Sequence, residues 1–181
     1  MAQPEDNLLI LDLDETLIYA VEEPLSRPAD FQVGPFHVYK RPYVSEFLRA
    51  CREWFEVAVW TSASPGYAAG IVEALFPYAP AFVWASDCCT RAYDPERGEH
   101  FSVKNLRKVK TRGYSLEQVI VVDDTAEKHG QNYGNLVRIR AWTGDLEDRE
   151  LVLLRSYLER LRTVENVRAV EKRQWRAEVL G

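Results

Sequence analysis

The sequence predicts an α/β fold, a Rossmann-like parallel sheet flanked by helices. Three observations predict it. Short runs that are apolar at nearly every position recur along the chain, the pattern of strands buried on both faces of a central sheet. Segments with helical spacing alternate with them, which favours parallel pairing through right-handed crossovers. The length of 181 residues suffices for one domain with a sizeable core, and 46% hydrophobic with 28% charged residues is the balance of an ordinary water-soluble globule. We therefore expect a single domain over residues 1–181, with its core spanning roughly 8–162.

The first strand is Leu8-Leu9-Ile10-Leu11, which runs into Asp12-Leu13-Asp14-Glu15-Thr16. Glu22 to Asp30 carries two prolines and several charges and reads as a loop. Phe31 to Tyr39 is β-rich and interrupted by Gly34-Pro35, as in a hairpin or a bent edge strand. A helix over Val44 to Trp54 follows, because Val44, Phe47, Leu48 and Cys51 recur at helical spacing; Tyr43 and Ser45 both suit its cap. Phe55 to Trp60 is the second strand and ends in Thr61-Ser62-Ala63-Ser64. Gly66 to Leu75 is a helix stopped by Phe76-Pro77, and Ala81 to Ala85 is the third strand. Ser86 to Phe101 has few apolar residues and turn signals at Asp94-Pro95 and Gly98, so residues 86–103 read as a small β insertion outside the main sheet. A short helix over Val103 to Val109 precedes the fourth strand, Val119 to Val122, which ends in Asp123-Asp124-Thr125. Glu127 to Gln131 reads as a short helix and Leu136 to Ile139 as the fifth strand. Asp148 to Arg162 is a long amphipathic helix with Leu151, Leu154, Leu158 and Leu161 on one face. Residues 163–181 form a highly charged tail whose pattern fits strand, helix or frayed chain alike.

This alternation carries the ends of strands one, two and four to one edge of the sheet. Asp12, Asp14, Thr61, Ser62, Asp123 and Asp124 collect there. The carboxyl edge is where open α/β sheets hold ligands. Four converging carboxylates repel unless protons or a cation neutralise them. A donor set of oxygens alone favours a hard cation, with Mg²⁺ the first choice. A hydroxyl pair and backbone N–H groups at a helix start suit phosphate oxygens. Phosphate, Mg²⁺ and a free aspartate together point to phosphoryl transfer through an aspartyl-phosphate.

The run Asp12-Leu13-Asp14-Glu15-Thr16, with Thr61-Ser62, Lys104 and Asp123-Asp124, resembles the haloacid dehalogenase superfamily of phosphatases. It is most similar to the branch of the RNA polymerase II C-terminal-domain phosphatases, with Lys40-Arg41-Pro42, Val59-Trp60-Thr61-Ser62-Ala63 and Val103-Lys104-Asn105-Leu106 adding to the likeness. The resemblance implies that Asp12 is the nucleophile and that Asp14 protonates the leaving alcohol and then activates water. It implies that Thr61 and Ser62 bind the phosphoryl group, that Lys104 offsets its charge, and that Asp123 and Thr16 support the site. It places Mg²⁺ on the Asp12 carboxylate, the Asp14 carbonyl and Asp124. Many small members of the branch carry Asn at the last position, so Asp124 adds a negative charge here. Too little chain lies between these motifs for a large cap, which favours phosphoserine or phosphothreonine in a protein segment over an enclosed metabolite. A small phosphate ester, a nucleic-acid 3′-phosphate end and a catalytically silent binding module are the rival readings.

Taken singly, Thr16 and Thr61 also suit backbone hydrogen bonds at strand ends, and Lys104 suits a surface position. The acid-free stretch Lys104, Arg107, Lys108, Lys110, Arg112 fits a solvated helix face or an attractor of phosphorylated partners. His37, His100 and His129 lack ligand spacing and read as ordinary structural or surface residues. A net charge of -5 speaks against general nucleic-acid binding. The polar start Met1 to Asn7 lacks the pattern of a secretory signal, and no apolar run reaches membrane-spanning length. Cys51, Cys88 and Cys89 form no metal spacing and cannot all pair, so a reducing cytoplasm is expected.

Overall fold

The computed structural model describes residues 7–96 and 98–181. Its centre is a five-stranded parallel sheet built from β1 (Leu8–Leu11), β5 (Glu56–Trp60), β6 (Val83–Trp84), β9 (Val119–Asp123) and β10 (Leu136–Arg138). Their order is β10-β9-β1-β5-β6, with β1 in the middle. Leu11 pairs with Val59 on one side and Val122 on the other, so the three strands end level with one another. A central position explains why all four residues of β1 are fully buried and apolar.

Side chains alternate between the faces of the sheet. Leu9, Leu11, Val57, Val59, Ile120 and Val122 enter the larger core, which α1 (Val44–Trp54), α2 (Pro65–Leu75) and α3 (Glu150–Leu161) cover. Leu8, Ile10, Ala58, Trp60, Val119 and Val121 enter a second core, closed by Leu106, Val109 and Leu116. The cover on that face is a 3₁₀ segment, Leu106–Arg112, in place of the short α-helix the spacing suggested; its first turn is held by the Asn105 side chain, which accepts from the Arg107 amide.

The larger helices match their sequence pattern closely. Val44, Phe47, Leu48 and Cys51 of α1 are buried, as are Leu151, Leu154, Leu158 and Leu161 of α3. Neither of the expected α1 caps makes a side-chain cap; Tyr43 precedes the helix in left-handed backbone, with φ of 65°. The Ser64 hydroxyl caps α2 and Pro65 occupies its first turn.

Two smaller sheets lie outside the main one. β2 (Ile18–Val21), β3 (Phe31–Val33) and β4 (Phe36–Lys40) form an antiparallel sheet in the order β2-β4-β3. The Gly34 turn was legible, but β2 was not, because Ile18–Val21 directly continues the motif after β1. β7 (Thr90–Asp94) and β8 (Glu99–Val103) form the expected hairpin insertion.

The charged tail is not frayed. It contains α4 (Trp175–Leu180), and Trp175 packs at 1% exposure beside Tyr157 with its indole N–H donating to the Arg138 carbonyl. Among the described residues no helix is long and apolar enough to cross a membrane.

One buried ion pair ties the first motif to the body of the fold. Arg41, 1% exposed, donates through Nε and a terminal nitrogen to both Asp148 carboxylate oxygens, each at 2.8 Å. Its other terminal nitrogen donates to the Thr16 carbonyl at 3.0 Å. This fork fixes the loop after β1 against the segment entering α3. Removing one partner of such a pair leaves an uncompensated charge. Arg41→Ala is expected to lower the unfolding free energy by about 3–5 kcal/mol; urea titration monitored by tryptophan fluorescence measures it.

Candidate active site

Three parallel strands set the site's floor. Asp12 directly follows β1, Thr61 directly follows β5, and Asp123 ends β9. The Asp12 amide donates to the Val122 carbonyl at 3.0 Å, and the Thr61 amide to that of Trp84 at 2.9 Å, so ladder hydrogen bonds persist up to both residues. After Asp12 the chain must leave the sheet. Glu15 takes left-handed backbone, with φ of 58°, and the Leu13 carbonyl accepts from the amides of Thr16, Leu17 and Ile18. That tight turn leaves Asp14 at the mouth while Leu13 stays buried.

Lys104 is the electrostatic centre. It is 0% exposed, and its ammonium donates to Asp12 Oδ1 at 2.7 Å and to Asp123 Oδ2 at 2.5 Å. Its amide donates to the Lys128 carbonyl at 2.9 Å, which anchors the backbone just after β8. Its place in the motif, and not its local composition, gave the right reading: it is no surface lysine.

Asp123 is fully committed. Its Oδ2 also accepts from the buried His129 Nε2 at 2.8 Å, and its Oδ1 from the Thr125 amide at 2.8 Å. His129 therefore belongs to the site and is not a bystander; spacing rules for metal ligands could not find it, because it reaches a carboxylate, not a cation. Burial alone would raise Asp123, but Lys104 and His129 outweigh it and hold that carboxyl below the usual range. Burial opposes the charged form of Lys104, yet Asp12 and Asp123 together raise it above an ordinary lysine. Burial, and next the Asp123 charge, push Asp12 up to about 7 against the pull of Lys104.

Asp12 Oδ2 has one long contact, from the Thr16 hydroxyl at 3.4 Å. Thr16 thus both touches Asp12 and, through its carbonyl, meets Arg41. Asp14 is half-buried, and its Oδ1 accepts from the Tyr67 hydroxyl at 2.6 Å. Burial raises Asp14, with Tyr67 opposing. Tyr67 was not legible beforehand, since a tyrosine one turn into α2 looks like any packing residue. Thr61 Oγ1 accepts from the Ala63 amide at 3.1 Å, leaving its proton to donate elsewhere. The Ser62 hydroxyl oxygen is buried and has no hydrogen-bond partner among the described residues. A phosphoryl oxygen would satisfy it.

The Asp12, Asp123 and Asp124 carboxylates each offer an oxygen within 4.8 Å of the others. This all-oxygen set fits a hard divalent cation. Because Asp123 already accepts three hydrogen bonds, Asp12 and Asp124 are the carboxylates better placed to ligate. Asp124 is raised by burial and by Asp123, the direction expected of crowded carboxylates that a cation would relieve.

Comparisons with known proteins agree with this geometry. The sequence pattern of the NLI interacting factor-like phosphatases matches residues 7–168. The chain is 34% identical over 170 residues to a Dictyostelium discoideum probable C-terminal domain small phosphatase, covering 90% of this chain and 53% of that protein. It is 30% identical over 168 residues to the CTD small phosphatase-like protein 2 of the same organism, covering 88% of this chain and 28% of that protein. It is 29% identical over 180 residues to the human carboxy-terminal domain RNA polymerase II polypeptide A small phosphatase 1, covering 93% and 65%. The chain thus spans from about a quarter to about two thirds of these relatives. The RNA polymerase II CTD phosphatase Fcp1 shares the fold, with a TM-score of 0.67 at 18% identity over 88% of this chain and 63% of that one. The chain belongs to the NLI interacting factor-like phosphatase family, in the C-terminal-domain phosphatase branch of the haloacid dehalogenase superfamily.

Proposed function

We propose that the protein is a Mg²⁺-dependent phosphatase that hydrolyses phosphomonoesters through an aspartyl-phosphate, with phosphoserine or phosphothreonine in a protein as substrate. The observation that carries this reading is the buried Lys104 ammonium bridging Asp12 and Asp123, with Asp124 close by. A structural lysine would need one carboxylate. Here a second is held in reserve by Thr125 and His129, leaving Asp12 Oδ2 free to react.

Asp12 Oδ2 attacks phosphorus in line, forming the aspartyl-phosphate as the bond to the leaving oxygen breaks. Asp14 gives its proton to the departing alcohol, for which its raised pKa suits it. Asp14 then takes a proton from water as that water attacks phosphorus and the bond to Asp12 breaks. Thr61, Ser62 and Lys104 donate to the equatorial oxygens throughout. Asp12, Asp124 and the Asp14 carbonyl would hold Mg²⁺, which when bound neutralises carboxylate charge and polarises the phosphoryl group.

The macromolecular substrate is supported by the modest insertion. Among the described residues, the excursion between Trp84 and Lys104 holds the 3₁₀ turn Ser86–Cys88 and the β7–β8 hairpin, too little chain for a large cap. The names of the relatives point to the RNA polymerase II C-terminal domain; for this chain the proposal is limited to a phosphorylated, flexible protein segment. Free Cys51, Cys88 and Cys89 are in keeping with a reducing cytoplasm.

Assays of phosphopeptides, sugar phosphates and 3′-phosphorylated oligonucleotides with Mg²⁺ or EDTA test the reading. Phosphopeptide turnover that requires Mg²⁺ and vanishes in Asp12→Asn is expected; turnover surviving in Asp12→Asn overturns it. Lys104→Met should lower kcat by about a hundred- to a thousandfold, measured on p-nitrophenyl phosphate.

A pH effect on stability follows from the raised carboxyls. A carboxyl raised on folding stabilises the fold below its unfolded pKa, and that contribution is lost as pH rises through the folded value. For Asp12 the window runs from 3.8 to about 7; Asp14 and Asp124 shift in the same direction. In EDTA, Asp12→Asn should therefore be more stable than the parent at pH above this window and lose that advantage below it. Mg²⁺ should raise the parent's Tm most above the window; calorimetry across pH reads both.

A further inference from the structure

Beyond Asp124 the carboxyl edge of the sheet continues into a cleft that the chemistry above does not use. The cleft measures about 680 Å³ and is bounded by Asp124 and Thr125 on one side and by Arg138, Arg140, Arg173 and Arg176 on the other. It lies one strand outward from Asp123 and two from the strand that carries Asp12: Arg138 on β10 pairs in register with Asp123 on β9. Three of its five cations, Lys172, Arg173 and Arg176, come from the segment after Thr163.

These cations are not equally engaged. Arg176 is committed to the buried Glu150, reaching it through Nε at 2.9 Å. Arg173 pairs with Glu171 in full solvent, a contact that a better anion displaces at little cost. Arg138 uses only Nε, donating to the Asp124 carbonyl at 3.2 Å, so its terminal nitrogens remain for a ligand. Arg140 is exposed, and among the described residues no carboxylate pairs with its guanidinium. Lys172 lines the same wall, its ammonium donating to backbone carbonyls, including Gly134 at 2.7 Å and Val170 at 2.9 Å. Glu127 is the opposing acid in the wall besides Asp124. In a chain with a net charge of -5, this is a local inversion of sign.

The geometry points to a second anion-binding site, formed by Arg138, Arg140 and Arg173 beside Asp124, that takes a second phosphate of a multiply phosphorylated protein segment while the first lies on Asp12. Guanidinium groups suit this ligand, because phosphate carries close to two negative charges and accepts paired N–H donors. Asp124 borders both places, and an extended chain advances about 3.4 Å per residue, so the spacing of two phosphates sets whether one segment reaches both. The inference rests on the proposed protein-phosphatase activity.

Three peptides differing only at one flanking residue test it: serine, glutamate or phosphoserine at that position, beside a constant phosphoserine, in a series of spacings. At the best spacing the parent should show a KM for the doubly phosphorylated peptide about tenfold below that of the singly phosphorylated one. The glutamate peptide falling between them identifies charge as the ligand's main feature; equal KM for glutamate and phosphoserine would overturn phosphate as the preferred anion. In the double variant Arg140→Ala with Arg173→Ala the advantage should disappear while kcat on p-nitrophenyl phosphate stays at the parent value. Equal KM for all three peptides in the parent, or an advantage surviving in the double variant, overturns the site. Binding of the same peptides to Asp12→Asn, followed by fluorescence anisotropy, separates the two ideas. Preferential binding of the doubly phosphorylated peptide without parental turnover would sink the catalytic reading and keep the docking site; turnover without preferential binding would do the reverse.

Discussion

The structure depends on one constraint, that buried charge must be balanced. Asp12 and Asp123 sit at the ends of adjacent parallel strands, out of reach of bulk water. Neither could stay ionised there unaided. A single ammonium, Lys104, placed between them makes the arrangement tolerable without making it neutral. Two carboxylates against one lysine leave an excess of negative charge, increased by Asp124. That excess is the physical basis for a cation, and it also explains why His129 is recruited behind Asp123. Each layer of the site answers an imbalance left by the one inside it.

The sheet makes such a site possible by rigidity. The three strands end in register, and backbone hydrogen bonds run right up to Asp12 and Thr61. The site's side chains are thereby ordered in advance, the condition under which fixed charges act most strongly. Arg41 extends this stiffness to the loop after β1, since its two carboxylate contacts and its grip on the Thr16 carbonyl leave that loop little freedom. The motif's acids are held from below by strands and from the side by an ion pair more than a hundred residues apart in sequence.

Much of this was legible in the chain. β1 announced itself because a fully buried strand has no polar face, and α1 and α3 because their apolar stripes are long. Asp12, Asp14, Asp123 and Asp124 were legible because an acid that ends an apolar run is costly to keep there unless a ligand or a counter-charge meets it. What escaped has a common cause. β2 is half-exposed and lacks a clean alternation. The 3₁₀ cover over Leu106–Arg112 has the apolar content of a helix but not its length. His129 and Tyr67 act through single side-chain hydrogen bonds, to Asp123 and Asp14, which leave no periodic trace. The C-terminal segment looked like a solvated tail because its charges outnumber its anchors; one tryptophan, Trp175, decides its placement.

The β7–β8 hairpin leaves and re-enters the domain at one point, since Thr90 pairs with Val103. Lys104 follows immediately and is pinned by its own amide to Lys128. The outer loop can therefore lengthen, shorten or change its residues while its base, and the lysine behind it, stay put. Descent could rework this hairpin without moving the buried lysine, the exchangeable part being grafted at a single junction.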